Sequence, residues 1–327
     1  MTVIDCQAHW YPRVLLDSYV EIEGYQRWRK DGDTYLWESA PDFWFPIRPE
    51  FYELDMQLEI YEGSGVDAMV SSSGSFGDVD RLEVGRAREV AIATNEARAA
   101  AEREHQGRFY GVASIPWQDT EAAIEVLDDA VERLGLRAVL LHANIDGAPV
   151  DSDHCRPIYA RLAELGVPVF LHPARSFAED RLRDQGLEIL VGYMFDTSVA
   201  VLRLVLSGIV LENPELKIVH PHCGGTLPYL AGRLDAGYSR PFSLGEPMAK
   251  PPSEQLASLY TDTMCQDPAT LDFARRFYED GHVLFATDYP YYQPAEALEL
   301  VSGTVEGPER EAILGGNAAR LLGLAAG

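Results

Sequence analysis

The sequence is short of positive charge. Its 327 residues include 52 acidic and only 27 basic side chains, a formal net charge of -25. No Lys/Arg cluster stands out, and a surface for nucleic acid or an anionic membrane needs one. Neither partner is expected, and the acidic excess reads as a solubility feature. Cysteine is scarce as well. Cys6, Cys155, Cys223 and Cys265 are far apart and form no CxxC. With no signal peptide at the start, the expectation is reduced thiols in a cytoplasmic protein. No apolar run reaches the ~18 residues that a membrane span needs.

Apolar residues are abundant, at 46%, which supports a sizeable core and excludes a largely disordered chain. Eight short β-rich runs recur: Val3–Trp10, Asp67–Gly74, Tyr110–Pro116, Ala138–Asn144, Val167–Pro173, Lys217–Gly224, Leu259–Met264 and Val283–Pro290. Most are continuous apolar stretches, as parallel strands buried on both faces require. Helical segments separate them. Asp119 reads as the cap of one, and Ala122, Ala123, Val126, Leu127, Ala130 and Val131 follow it at helical spacing. Eight strand–helix units over residues 1–327 predict a single (β/α)8 barrel, with a doubly wound open sheet as the other arrangement.

One segment breaks the rhythm. Residues 11–65 separate the first two runs and are rich in aromatics, among them Tyr25, Trp28, Trp37 and Phe51. A simple connection is far shorter. This stretch reads as an insertion over the barrel mouth, ending in a helix at about Pro49–Gly63.

A barrel of this kind works at the C-terminal ends of its strands. Gln7 and His9 end the first run, His142 the fourth, His172 the fifth, His220 and His222 the sixth, Asp262 the seventh and Asp288 the eighth. Strand alternation turns Gln7 and His9 the same way, and likewise His220 and His222. A lone strand-end histidine is usually just hydrogen-bonded. Several converging with a carboxylate suit a divalent transition metal, zinc first and manganese next. The aromatic residues Trp10, Tyr11, Tyr289, Tyr291 and Tyr292 gather near the ends of the first and eighth runs, where they would wall a pocket for a flat ring.

The motifs "IDCQAHWYP", "FLHPA", "LKIVHPHCGGTLPYLAGRLD", "LYTDTM", "FATDYPY" and "GNAARLLGL" resemble the amidohydrolase superfamily. Within it they are similar to the group typified by aminocarboxymuconate-semialdehyde decarboxylase. That resemblance implies His9 and His172 as metal ligands, and Asp288 as a ligand that also handles protons. It implies His222 as the histidine that polarises or deprotonates a metal-bound water, and Arg48 and Arg233 as partners of a substrate carboxylate. It also implies a homodimer.

Gln7 departs from the pattern, which has His or Glu there. Its amide oxygen is a weak ligand. Three readings follow. Gln7 ligates weakly or supports the ligands from outside; or His9, His172 and Asp288 hold the ion with water in the gap; or the metal is lost. His220, one pleat below His222, reads as a supporting hydrogen-bond partner of the site. The resemblance implies a modified lysine on the fourth strand wherever two metals are bound; the fourth run here has His142 and no lysine, which argues for one metal ion. The expected activity is a metal-dependent, non-oxidative decarboxylation of a small unsaturated or aromatic carboxylic acid. Hydrolysis or hydration by an activated water is the alternative, and a metal-free binding barrel the third reading.

Overall fold

The computed structural model describes residues 2–21, 28–40, 43–174, 179–182, 184–239 and 248–324. Eleven strands form among them: β1 (Ile4–His9), β2 (Trp28–Asp31), β3 (Thr34–Ala40), β4 (Phe43–Pro46), β5 (Ala68–Ser72), β6 (Phe109–Gly111), β7 (Val139–His142), β8 (Val169–His172), β9 (Ile218–His220), β10 (Tyr260–Asp262) and β11 (Val283–Leu284). Eight of these fall on the eight expected runs, seven trimmed at their ends and β6 beginning one residue earlier, at Phe109. They lie in two parallel sheets, ordered β1-β5-β6 and β11-β10-β9-β8-β7. Isolated parallel bridges, Ala8 to Tyr289 and Ala113 to Val139, join the two into a closed ring. A barrel was expected, and a barrel is found.

The strands read as apolar runs because each is covered twice. Inside, Ile4, Cys6, Val70, Leu140, Phe170 and Val219 belong to one buried cluster. Outside, neighbouring strand residues such as Val139, Leu141 and Val169 join the larger cluster under the helices. The helix Thr120–Asp128 behaves as its spacing predicts. The Asp119 carboxylate accepts the backbone N–H of Ala122 at 2.9 Å, and Ala122, Ala123, Val126 and Leu127 are buried.

One helical run departs from expectation. Glu188–Leu206 spans 19 residues and is apolar and long enough to cross a membrane by length and composition. Here it serves as a barrel helix. Ala200, Val201, Leu204 and Val205 are buried in it, together with Asp196, Thr197 and Ser198.

The insertion holds more structure than its sequence suggested. Besides the expected helix, found at Leu54–Ser64, it contains a helix at Arg13–Val20 and the antiparallel meander β2-β3-β4. Trp28 opposes Trp37, which opposes Phe45 in turn. The "DGDT" turn, with Asp31 opposite Thr34, is a short hairpin signal that the aromatic content obscured. Tyr25 lies outside the described residues.

Candidate metal centre and active site

β1 carries the first two site residues, and a local irregularity aims them. Its register against β5 slips between Asp5 and Ala8, a bulge that re-aims side chains. The buried Asp5 carboxylate holds the distortion in place. It accepts the backbone N–H of Gln7 at 2.9 Å and of Thr287 at 3.1 Å, and the hydroxyls of Thr287 and Tyr61. In this way β1 is tied to the segment that presents Asp288. Backbone bonds from Asp288 N to Gln7 O, and from His9 N to Tyr289 O, both 2.8 Å, complete the seam.

Three donors converge at this seam. His9 Nε2 lies 2.8 Å from Asp288 Oδ1, and His172 Nε2 lies 3.6 Å from the same oxygen. The ligand atoms of His9, His172 and Asp288 all fall within 4.8 Å of one another, and all three residues are buried. The orientation of His172 is set from behind, where Nδ1 donates to Pro173 O at 2.7 Å. Its Nε2 is buried with no hydrogen-bond partner among the described residues. Two imidazoles and a carboxylate, one nitrogen unpaired and facing inward, fit one divalent ion.

The electrostatics favour the same reading. Burial, with His9 beside it, pushes the His172 imidazole down to about 3, so the ring is the neutral, ligating form. Burial opposes the charge on Asp288, but the facing His172 and His9 rings hold its carboxyl below the usual range.

His222 completes the group from another direction. Its Nε2 is 4.0 Å from Asp288 Oδ2 and 3.3 Å from the Gln7 amide nitrogen. Burial pushes its imidazole down, against the pull of Asp288. The Gln7 amide oxygen, by contrast, is buried with no partner among the described residues. Gln7 thus touches His222 through its amide nitrogen and leaves its oxygen unpaired.

The pairing of His220 with His222 is corrected. β9 ends at His220, and the backbone turns left-handed at His222 (φ 57°, ψ 55°) and Cys223 (φ 55°, ψ 28°). Strand alternation therefore no longer relates the two rings. His220 is fully buried and faces the next turn, where a Cβ on Gly225 would sit 3.3 Å from its Nε2. Neither of its ring nitrogens has a hydrogen-bond partner among the described residues, and burial drives the imidazole down to about 3. Asp262 is what supports the His222 turn. Its Oδ1 accepts the backbone N–H of Cys223 at 3.2 Å and of Met264 at 3.0 Å. The glycine pair lets the turn close, since a Cβ on Gly224 would meet the Tyr278 hydroxyl at 2.0 Å and one on Gly225 the Ser198 hydroxyl at 2.6 Å. Asp288 also takes a left-handed backbone, φ 59°. Backbone conformations of this kind persist where the surroundings hold them.

The expected aromatic wall is partly wrong. Trp10 follows His9 and so faces the other way, with Nε1 donating to Tyr52 O and its ring on Phe109. Tyr289 likewise turns out of the mouth and packs on Tyr61. Tyr11 is buried under the loop after β5, with its hydroxyl accepting the Phe76 N–H. Tyr291 does approach the metal ligands, its ring centroid 6.0 Å from that of His9, and Tyr292 is exposed at the rim. Two wall residues, Phe76 and Tyr193, escaped sequence reading, and Phe51 was read only as part of the insertion. Phe76 and Phe51 pack against Tyr291, and Tyr193 shares Ser75 with Tyr291 as a hydrogen-bond partner. Phe76 also packs against Trp28 and Trp37, so the insertion's sheet lies over this wall. Nothing in the local sequence around Phe76 or Tyr193 marks them, because the tertiary fold alone brings them to the mouth.

Arg48 reaches the rim of the eighth-strand segment, donating from Nη2 to Pro290 O at 2.7 Å. Arg233 is exposed on the helix Leu227–Tyr238. His142 Nδ1 lies 3.2 Å from Asp80 Oδ1, with both residues buried.

Comparison with known proteins gives the family. A family model described as amidohydrolase matches residues 4–324. The chain belongs to the amidohydrolase family. This amidohydrolase is 30% identical to a 2-amino-3-carboxymuconate-6-semialdehyde decarboxylase of Dictyostelium discoideum, over 70% of this chain and 65% of that protein's length. It is 30% identical to a 6-methylsalicylic acid decarboxylase of Penicillium expansum, over 89% of this chain and 85% of that one. Its fold is similar to that of a 5-carboxyvanillate decarboxylase of Novosphingobium aromaticivorans solved with manganese and 4-hydroxy-3-methoxy-5-nitrobenzoic acid. There the TM-score is 0.84 and the identity 22%, covering 99% of this chain and 96% of that one.

Proposed function

We propose that this amidohydrolase is a metal-dependent, non-oxidative decarboxylase of small aromatic carboxylic acids. The observation that carries the reading is the constellation itself. His9, His172 and Asp288 form one divalent-metal site, and His222 faces Asp288 across 4.0 Å. The absence of a lysine at the end of β7, where His142 stands, favours one ion over the two-ion hydrolytic arrangement. Relatives named as decarboxylases support the same reaction class.

His9, His172 and Asp288 would hold the ion, with the Gln7 amide oxygen as a weak fourth donor or a support for His222. Zinc suits the two imidazoles, and manganese suits the oxygen share of the set. When bound, the ion supplies positive charge beside the substrate's carboxylate or a neighbouring oxygen. The protein's own groups do the rest. Arg48, and Arg233 as a second candidate, neutralise the carboxylate. Tyr291, Phe51 and Phe76 form an apolar face for the ring, with Tyr292 at its rim. The carbon–carbon bond breaks, its electron pair stays on the ring carbon, and a proton relayed through His222 and Asp288 takes the place of the departing carbon dioxide.

Release of carbon dioxide from a panel of hydroxybenzoates, with metal-loaded protein, tests the reading. Abolition of release in His222→Ala and Asp288→Ala is the expected result. Incorporation of solvent oxygen into product, without carbon dioxide, would move the assignment to hydrolysis or hydration. Full turnover by protein with metal stoichiometry near zero would refute metal dependence. A homodimer remains our proposal, supported by exposed Ile189, Leu190, Phe195 and Val199 on one helical run, and light scattering of the purified protein tests it. A cytoplasmic location is likewise a proposal, supported by four unpaired cysteines.

A further inference from the structure

We propose that Asp80 and His142, one strand over from the metal-site residue His172, form a second recognition point, which receives a hydroxyl group on the substrate's ring. The inference rests on the decarboxylase reading for the presence of a ring, and on separate observations for the site.

The first observation is placement. His142 ends β7 in register with the metal-site residue His172 at the end of β8. Leu140 and Phe170, two residues earlier on each strand, both lie in the barrel interior. By alternation the two histidine rings point the same way, into the mouth. The second observation is an unsatisfied atom. His142 is 3% exposed, and its Nε2 is buried with no hydrogen-bond partner among the described residues. Native proteins rarely leave such an atom unpaired. Nδ1 is occupied by Asp80 Oδ1 at 3.2 Å, so the ring is held with Nε2 free. His142 lines a small cavity together with Asp78, Asp80, Trp117 and Asn144.

The chemistry of the free nitrogen selects the ligand. When the imidazole is neutral, Nδ1–H goes to the carboxylate and Nε2 offers a lone pair, which accepts from an O–H. When it is charged, Nε2–H donates to the same oxygen. A hydroxyl satisfies both forms, because it is donor and acceptor at once. A second carboxylate fits poorly, since Asp78 and Asp80 are buried in the cavity wall and the His142 charge is already matched by Asp80. An unsubstituted ring would leave Nε2 buried and unpaired. Asp80 is thus a positioning residue, and His142 the contact.

The test compares dissociation constants of metal-loaded protein for benzoate and for 2-, 3- and 4-hydroxybenzoate by titration calorimetry, with carbon dioxide release followed separately. Wild-type protein is expected to prefer one hydroxy isomer over benzoate by about tenfold or more. In His142→Leu that ratio should fall towards one, and in Asp80→Asn, which keeps the shape but weakens the ring's orientation, to an intermediate value. Metal content and melting temperature of each variant establish that it is folded. No preference in the wild type, or a preference that survives both substitutions, would overturn the proposal. A preference lost in His142→Leu while no acid releases carbon dioxide would uphold the recognition point and overturn the decarboxylase reading alone.

Discussion

Replacing Asp262 examines how the barrel aims His222. The side chain touches no donor of the metal trio, yet its Oδ1 accepts two backbone N–H groups, Cys223 at 3.2 Å and Met264 at 3.0 Å. It does so beneath a turn in which His222 and Cys223 both have positive φ. In Asp262→Ala two buried N–H groups lose their acceptor, at about 1–3 kcal/mol each, or about 2–6 kcal/mol in all. For a chain of this size roughly 2 °C of melting temperature accompanies each kcal/mol, so Tm should fall by about 4–12 °C. Relaxation of the turn should also displace His222, and a displacement of ~1 Å costs on the order of 100-fold in rate. Asp262→Asn keeps an acceptor oxygen and should retain most activity. Burial holds the Asp262 carboxyl well above the usual carboxylate range. Its stabilising share is therefore complete below the unfolded value near 3.8 and is lost as pH rises through the folded value. The Asn variant escapes that loss and should match or exceed wild-type stability at neutral pH. Thermal melts, kcat and metal content for both variants decide the matter. Wild-type turnover in Asp262→Ala, or equal damage in the Asn and Ala variants, would refute the role of the acceptor.

Gln7→His should tighten metal binding by about tenfold or more, because imidazole replaces a weak amide donor; competition with a chelator measures it, and an unchanged affinity would place Gln7 away from the ion. If turnover also disappears, the amide's contact with His222 is part of the chemistry. Gly225→Ala places a Cβ 2.6 Å from Ser198 Oγ and 2.9 Å from Met194 O at φ +55°; a loss of more than about 3 kcal/mol in denaturant unfolding is expected. His172 and His220 are both held near 3 by burial, below the unfolded value of 6.5. Metal-free protein should therefore keep their share of stability above pH 6.5 and lose it as pH falls towards 3, by up to about 2.7 kcal/mol per pH unit for two protons. His220→Leu, which removes an unpartnered ring, should shallow that slope without lowering stability at pH 5; urea titrations across the range check it.

Much of the site was legible because its residues stand at strand ends. His9, His172 and Asp288 are among the residues that the recurring apolar runs place at the C-terminal side of the strands, the family resemblance singles them out, and the structure brings all three together. His222 was legible as a residue, but the reason offered for it failed. Alternation assumes that the strand continues, and β9 stops two residues earlier at a left-handed turn that Asp262 and the glycine pair support. Trp10 and Tyr289 were placed by nearness to the strand ends alone, and alternation, left unapplied there, turns the neighbours of an inward residue outward. The meander β2-β3-β4 went unread because its strands are short and half polar, and only the "DGDT" turn marks it.

The sequence by itself determined the barrel, its strand-end histidines and carboxylates, and a family resemblance that picks His9, His172 and Asp288 out of them as ligands. The barrel and its candidates depend on patterns local to one strand: the length of an apolar run, and a polar residue at its end. Tertiary structure decided what those residues meet. It set Gln7 against His222, left His220 buried without a partner among the described residues, roofed the mouth with Phe76, Phe51 and Tyr193, and left one nitrogen of His142 unpaired beside a cavity. These are contacts between residues far apart in the chain. They follow from how closed strands, bulges and left-handed turns orient side chains in space, and no local pattern in the chain encodes them.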